Sequence, residues 1–426
     1  MPGADYKNKK VAVVGLARSG IAAANLLKGL GAEVFATDKG SSPALAAQAR
    51  DLRGRGISVE FGGHTLDFIR NKDLVVISPG VNNKSQALAW AGQLKIPVIS
   101  EIELAWSVCP AKVIAITGTN GKTTVTALTA EVLRAKGSRA FALGNIGRPF
   151  SQEVMNLSGD DFVSLEVSSF QLERIDKFRP RVSVILNFRP DHLDRYKDMP
   201  EYLEAKKRIF MNQDKDDYLV LNDDDPVVRD LAKTAKVRVS YFGGYQGEES
   251  FGKAPFNLNP NHLAVMAIAG IFGVSGGECL EVFKNFKGVE HRLEQVRRVR
   301  EIEFINDSKA TNVDSTAWAL RNIRKPAILI AGGRDKNSDY REISGLIKQK
   351  VKLLVVIGEA KDKIRSQLNE SAVIQDASSL EEAVSISFRQ ASSGDCVLLS
   401  PMCASFDMFK DYEHRGRVFK EIVSKL

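Results

Sequence analysis

Short continuous apolar runs alternate along the whole chain with longer stretches in which apolar residues return every three or four positions. The runs Val11-Ala12-Val13-Val14, Val34-Phe35-Ala36-Thr37-Asp38, Leu74-Val75-Val76-Ile77 and Pro97-Val98-Ile99-Ser100 read as buried parallel strands. Between the first two, Ile21, Ala24 and Leu27 share one stripe, which predicts a helix ending near Gly31. The alternation restarts at Val113-Ile114-Ala115-Ile116, followed by a helical stripe of Val125, Leu128 and Val132. It continues through strands at residues 162–166, 182–187 and 218–222. A third series opens at residues 302–306 and runs through 327–330, 353–357 and 397–399. Strand–helix alternation of this kind predicts an α/β chain of doubly wound parallel sheets. At 426 residues the chain exceeds one ordinary core, and two or three domains are expected. The pattern divides it at residues 1–102, 103–288 and 289–426, with no Pro-rich or Ser-rich linker to sharpen the boundaries.

Composition narrows the class. Apolar content of 44% and charged content of 26% are ordinary for a globular protein. No apolar run approaches the ~20 residues that span a bilayer. The polar start, Met1 to Lys10, leads straight into a strand and carries no signal-peptide pattern, so a cytoplasmic protein without a membrane anchor is expected. Cys109, Cys279, Cys396 and Cys403 lack metal spacing and read as reduced thiols. The net charge of +8 is spread along the chain, with no basic block interleaved with aromatics. Nucleic acid is therefore not an expected partner, whereas small polyanions such as nucleotides suit the balance.

The sharpest chemistry follows the strand at Val113. Gly118-Thr119-Asn120-Gly121-Lys122-Thr123-Thr124 is a small-residue turn that opens a helix. Glycines let backbone N–H groups face an anion, Lys122 supplies a point charge for phosphates, and the Thr123 hydroxyl suits Mg²⁺. The helix N-terminus adds its dipole. Ile116 stands where the phosphate-loop pattern has its first glycine. The reading is ATP binding with Mg²⁺. Gly15-x-Ala17-x-x-Gly20 followed by Asp38 is a weaker dinucleotide fingerprint, because its middle glycine is alanine. A plain strand-to-helix turn fits it equally well. Ligands bind such sheets beyond the strand C-termini, so Gly15, Asp38 and Gly80 lie on the expected binding edge.

Other groups are individually weak. Glu166 ends a strand and can serve Mg²⁺, or be an exposed strand-end acid. In Asp191-His192, the histidine can meet a metal or a substrate oxygen, or be structural. Glu204-Ala205-Lys206-Lys207-Arg208 reads as a solvated basic helix. Asp307 can hold a cation and Lys309 an anion, unless residues 306–312 are only a helix-capping turn. Gly332-Gly333-Arg334-Asp335-Lys336 suits a carboxylate or phosphate. His291-Arg292, at a predicted domain junction, is expected to place a charge in a cleft.

Together, these pieces resemble the Mur ligase family of ATP-dependent amide ligases, which build peptidoglycan precursors. The carriers are Gly118-Thr119-Asn120-Gly121-Lys122-Thr123, Gly144-Asn145-Ile146-Gly147, Asp191-His192-Leu193-Asp194-Arg195, Ala205-Lys206-Lys207-Arg208-Ile209, His291-Arg292 and Asn306-Asp307-Ser308-Lys309-Ala310-Thr311. Residues 165–173 and 400–407 look most like the D-glutamate-adding branch. The resemblance implies three domains: a Rossmann-like domain for a UDP-sugar, a central phosphate-loop ATPase-type domain, and a Rossmann-like domain for the amino acid. It implies UDP-N-acetylmuramoyl-L-alanine and D-glutamate as substrates, ATP and Mg²⁺ as cofactors, and a monomer. By the same resemblance Thr123, Glu166 and His192 look like Mg²⁺ contacts, and Lys206 occupies the position of a lysine carbamylated by CO₂. Asn145 and His192 look like substrate contacts, Asn261 an adenine-side contact, and Arg292 and Asp307 further ATP-site groups. The position three before Asn261, often Asn in the family, is Leu258 here, flanked by Asn257 and Asn259. Lys309, Thr311, Lys336, Ser405 and Phe406 resemble a D-glutamate pocket. Gly15, Leu16, Ala17, Asp38, Lys39, Gly80 and Asn82 would face the UDP-sugar. A sister ligase, a folate polyglutamylating enzyme, a nicotinamide-dependent oxidoreductase and a nucleotide-gated binding protein are the competing expectations.

Overall fold

A computed structural model describes residues 4–145, 147–244 and 258–426. Ile146 and Asn257, both singled out above, lie outside the described residues. The described residues contain three sheets. The first is formed by β1 (Lys10–Val14), β2 (Glu33–Asp38), β3 (Ser58–Phe61), β4 (Leu74–Ile77) and β5 (Val98–Ser100). Its order is β3-β2-β1-β4-β5, all parallel. The direction of winding reverses between β1 and β4, so the loops after these two strands share one crevice.

The second sheet contains β6 (Lys112–Thr117), β7 (Ala140–Gly144), β8 (Phe162–Glu166), β9 (Val182–Ile185), β10 (Tyr218–Asn222) and β11 (Arg238–Phe242). It is parallel in the order β11-β10-β9-β6-β8-β7. The loop after β6 is therefore flanked by those after β8 and β9. Its helix, Lys122–Ala135, buries Val125, Leu128 and Val132, the predicted stripe, against Ile114, Ile116 and Val184.

The third sheet is β12 (Glu294–Val299), β13 (Ile302–Asn306), β14 (Ala327–Gly332), β15 (Val351–Ile357), β16 (Val373–Asp376) and β17 (Cys396–Leu399). Its order is β12-β13-β17-β14-β15-β16, with only the β12–β13 pair antiparallel. Along β14, Ile328 and Ile330 join one apolar cluster, while Ala327, Leu329 and Ala331 join the other. Helices on both faces account for the uninterrupted apolar run.

The described residues group into two compact units: one from Met1–Phe188 and Tyr202–Phe286, the other from Arg189–Glu201 and Lys287–Leu426. No helix of the described residues is long and apolar enough to cross a membrane. The four cysteines are buried and unpaired with one another.

Candidate active site

In the first unit, the loop after β6 is tied down by its neighbour after β9. Thr119 N–H donates to the Asn187 carbonyl (3.1 Å), and Asn120 N–H to Asn187 Oδ1 (2.8 Å). Gly121 adopts φ +83°, and a Cβ there would sit 2.4 Å from Asn261 Oδ1. The predicted adenine-side asparagine thus packs directly on the phosphate-loop candidate. Lys122 Nζ donates to the carbonyls of Gly118 (2.9 Å) and Thr119 (2.8 Å), curling over the loop. Thr123 is buried in the first helical turn and Thr124 is partly buried beside it.

Glu166, at the end of β8, is buried, against the exposed strand-end alternative. Asn145 holds it from the loop after β7: its Nδ2 donates to Glu166 Oε1 (3.0 Å) and its N–H to the Glu166 carbonyl (3.0 Å). Asn145 and Glu166 therefore act as one unit.

Lys206 corrects the expectation of a solvated basic face. It is 1% exposed, and its Nζ donates to the Gly118 carbonyl at 2.9 Å while lying 4.5 Å from the centre of the Tyr202 ring. Its neighbour Lys207 instead pairs with Glu204 on the helix surface. The resemblance points to Lys206, whereas the local pattern does not tell the two lysines apart; helix rotation turns Lys206 inward and Lys207 outward. Lys122 and Lys206 share one carbonyl acceptor, so two lysine amines stand side by side at the loop. Asn259 proves to be the N-cap of the helix Pro260–Ile271, accepting from Asn261 and His262 N–H.

The loop after β1 is built differently. Leu16 N–H donates to Asp38 Oδ2 (2.6 Å), Gly40 N–H to Asp38 Oδ1 (2.7 Å), and Gly15 N–H to the Thr37 carbonyl (2.8 Å). Both oxygens of Asp38, the acid of the dinucleotide fingerprint, thus already accept backbone amides. Leu16 is buried; Ala17, Lys39, Gly80 and Asn82 are exposed on this edge.

In the second unit the loops after β13, β14 and β17 meet. Asp307 is 1% exposed, accepting from Ser400 Oγ (2.9 Å) and Leu293 N–H (3.2 Å). Burial pushes its carboxyl up to about 6, against the pull of Arg292 and these donors. Lys336 Nζ ion-pairs with Asp191 (3.1 Å) and reaches Thr311 Oγ1 (3.5 Å), and Asn312 Nδ2 donates to Asp191 Oδ2 (3.0 Å). Burial alone would raise the Asp191 carboxyl, but Lys336, His192 and Asn312 outweigh it and hold it below the usual range. His192 takes φ +57° beside it. Lys309 Nζ donates to the Tyr412 hydroxyl (3.0 Å). Ser405 is buried, whereas Phe406 is 62% exposed. The junction residue His291 turns inward instead of into a cleft: it is buried, 2.9 Å from Asn306 Nδ2. Its ring must accept the backbone approach of Gly416, where a Cβ would lie 2.3 Å away.

Sequence reasoning missed Asn187, Asn312, Tyr412 and Arg415, which support the named residues from distant positions. Only the Asn312 capping pattern before an apolar helix offered a signal. Thr123 and Glu166 provide hard oxygens of the kind Mg²⁺ prefers, beside a loop whose Gly121 leaves no room for a Cβ, so the residues fit a magnesium nucleotide.

Three family models match the chain: the MurD-like N-terminal domain of Mur ligases at residues 9–100, the Mur ligase middle domain at 116–278, and the Mur ligase glutamate ligase domain at 291–403. The UDP-N-acetylmuramoylalanine–D-glutamate ligase of Thermoanaerobacter sp. is 40% identical over 99% of both chains. Its counterpart from Geotalea uraniireducens is 43% identical over 98% of both. The crystal structure of UDP-N-acetylmuramate-alanine ligase from Thermotoga maritima shares the fold, with a TM-score of 0.64 at 21% identity, covering 98% of this chain and 100% of that one. From its first strand to its last sheet, the chain belongs to the Mur ligase family.

Proposed function

We propose that the chain joins D-glutamate to UDP-N-acetylmuramoyl-L-alanine at the expense of ATP, a C–N bond-forming step in peptidoglycan precursor synthesis. The observation that carries this reading is the convergence of Lys122 and the buried Lys206 on the Gly118 carbonyl, in a chain 40% identical end to end to D-glutamate ligases. A carboxylate is a poor electrophile, so the alanyl carboxylate first takes the γ-phosphoryl group of ATP. ADP leaves and an acyl phosphate forms. The D-glutamate amine adds to its carbonyl carbon, and the tetrahedral intermediate expels phosphate as the amine loses a proton.

Each residue has a role in that sequence. Lys122 and the amides of residues 118–124 cradle the phosphates and offset charge developing in the transfer. Thr123, Glu166 and His192 would hold Mg²⁺, which would offset phosphate charge when bound. Asn145 positions Glu166 and contacts the sugar substrate. Asn261 lies on the adenine side, and Arg292 and Asp307 complete the nucleotide site. Lys309, Thr311, Lys336, Ser405 and Phe406 take the incoming amino acid; cations with hydroxyls fit a dicarboxylate. Gly15, Leu16, Ala17, Asp38, Lys39, Gly80 and Asn82 receive the UDP-sugar.

Lys206 acts as a carbamate in this reading. A neutral amine adds CO₂ and loses a proton, giving an anion with two hard oxygens. The change replaces a buried ammonium beside Lys122 with an anion that attracts it. We place the domain boundaries at 102/103 and 288/289, and take the enzyme to be a cytoplasmic monomer without a membrane anchor.

The decisive experiment is ADP release from ATP with UDP-N-acetylmuramoyl-L-alanine and a panel of D- and L-amino acids. Release specific to D-glutamate is expected; equal rates with and without it would overturn the reading. For the carbamate, Lys206→Ala should lose most activity and regain part of it with a short carboxylic acid. Full activity in Lys206→Ala would refute that role.

A further inference from the structure

Among the described residues, the bulkiest fully buried side chain belongs to Arg415, in the first turn of the helix Tyr412–Ser424. It is 1% exposed and forms no ion pair among the described residues. Its guanidinium is spent on neutral oxygens of two loops. Nε donates to Ser308 Oγ (3.0 Å) and Nη2 to the Ser308 carbonyl (2.9 Å). Nη1 and Nη2 both reach the Cys403 carbonyl (3.3 Å each). A third loop closes over it: a Cβ on Gly333 would lie 3.3 Å from Nη1 and 2.2 Å from the Ala404 carbonyl.

Burying a charge without a counter-ion is costly, and an apolar side chain would fill the same volume without that cost. Burial accordingly pushes the guanidinium down to about 10, with the Cys403 side and Asp407 opposing. What Arg415 supplies that an apolar residue cannot is a rigid fork with donors fixed in one plane. The two loops it bridges carry Lys309 and Thr311 on one side, and Ser405 and Phe406 on the other. The same two loops are also joined by Met402 N–H to the Ala310 carbonyl (3.0 Å) and by Ser400 Oγ to Asp307 (2.9 Å), while a mutual backbone pair between Arg334 and Ala404 (2.9 and 3.1 Å) ties in the third loop. Ser308 extends the bridge by donating its hydroxyl to the Tyr412 carbonyl (2.8 Å), and Lys309 is held by the Tyr412 hydroxyl.

We propose that Arg415 is a positioning residue for the amino-acid pocket: its fork sets the spacing of the Ser308 and Cys403 loops, and its buried charge adds to the field that an incoming dicarboxylate meets. This rests on the reading of D-glutamate as the incoming amine. A group acting only on that pocket changes the amino-acid requirement and leaves the nucleotide and sugar sites alone.

The test is steady-state kinetics with each substrate varied in turn. The parent chain is measured first, and failure of D-glutamate to stimulate ADP release there defeats the functional reading before any variant is made. Given a responsive parent, Arg415→Met should raise the KM for D-glutamate at least tenfold, with the KM for ATP and for the UDP-sugar within twofold. Arg415→Lys, which keeps the charge but not the fork, should fall between parent and Arg415→Met. A D-glutamate KM within twofold of parent in Arg415→Met, or an ATP KM rising by the same factor, overturns the proposal. Should Arg415→Met not fold, Ser308→Ala decides: removing the Nε acceptor should raise the D-glutamate KM about threefold alone, and a parent-like value there overturns the proposal.

Discussion

Two glycine loops stand at equivalent places in the first two sheets, each between a central strand and a helix. The loop after β1 is buttressed by an acid: both oxygens of Asp38 accept backbone amides, from Leu16 and Gly40. The loop after β6 is buttressed by an amide side chain, Asn187, and two lysines converge on its Gly118 carbonyl. Both are glycine turns at a strand C-terminus; the charge brought to them is opposite. An acid under a loop repels a phosphate and favours hydroxyl or N–H donors, as on a ribose or a uracil ring. Two lysines favour the polyphosphate. A glycine turn after a central strand therefore locates a ligand edge, and the residues that fold back onto it choose the ligand.

That contrast can be broken in four places. Lys122→Ala removes the cation that separates the loops and should lower kcat/KM for ATP by about 10³-fold, a loss typical of a cation acting on a transferred phosphoryl group. A tenfold loss or less would make the two loops alike. Gly20→Ala puts a Cβ 1.8 Å from the Gly15 carbonyl, so the first loop must spring open. Overpacking of that order should cost about 3 kcal/mol, read as a lower thermal midpoint; an unchanged midpoint means the loop and its helix are not wedged together. Gly121→Ala must carry φ +83° and press on Asn261. The left-handed strain of about 1–2 kcal/mol should appear as a roughly tenfold higher KM for ATP with the sugar KM unmoved. Asp38→Asn should be mildest, raising the UDP-sugar KM about fivefold, since it loses one hydrogen bond worth ~1 kcal/mol. A matching rise in the ATP KM would show that Asp38 does not act on its own loop.

The central strands were legible because both faces are covered: β1, β4, β6, β14 and β17 are near-continuous apolar runs, and apolar continuity survives any helix arrangement above and below. The strands missing from the sequence reading are β3, β7, β11, β12 and β16, and every one is a sheet edge. An edge strand is only partly covered and carries charges such as Arg238, Arg297 and Asp376, so its pattern fades into that of a loop. Among candidate site residues, the glycine–lysine–threonine turn stood out since such residues must follow one another to cradle an anion. Lys206 was legible only through the family resemblance, since a lysine in a basic stretch has the same local pattern whether it faces water or the core.

Local order along the chain thus settled the interior strands, the α/β class and the glycine–lysine–threonine loop, because backbone geometry and an anion-cradling turn both depend on neighbours in sequence. Tertiary packing alone settled which lysine of the pair meets Gly118, which acid is held ionised by Lys336 and which is raised by burial, and which arginine lies beneath the Ser308 and Cys403 loops. Those outcomes turn on desolvation and on partners up to 145 positions away, as for Asp191 and Lys336. Neither quantity exists until the chain has closed on itself.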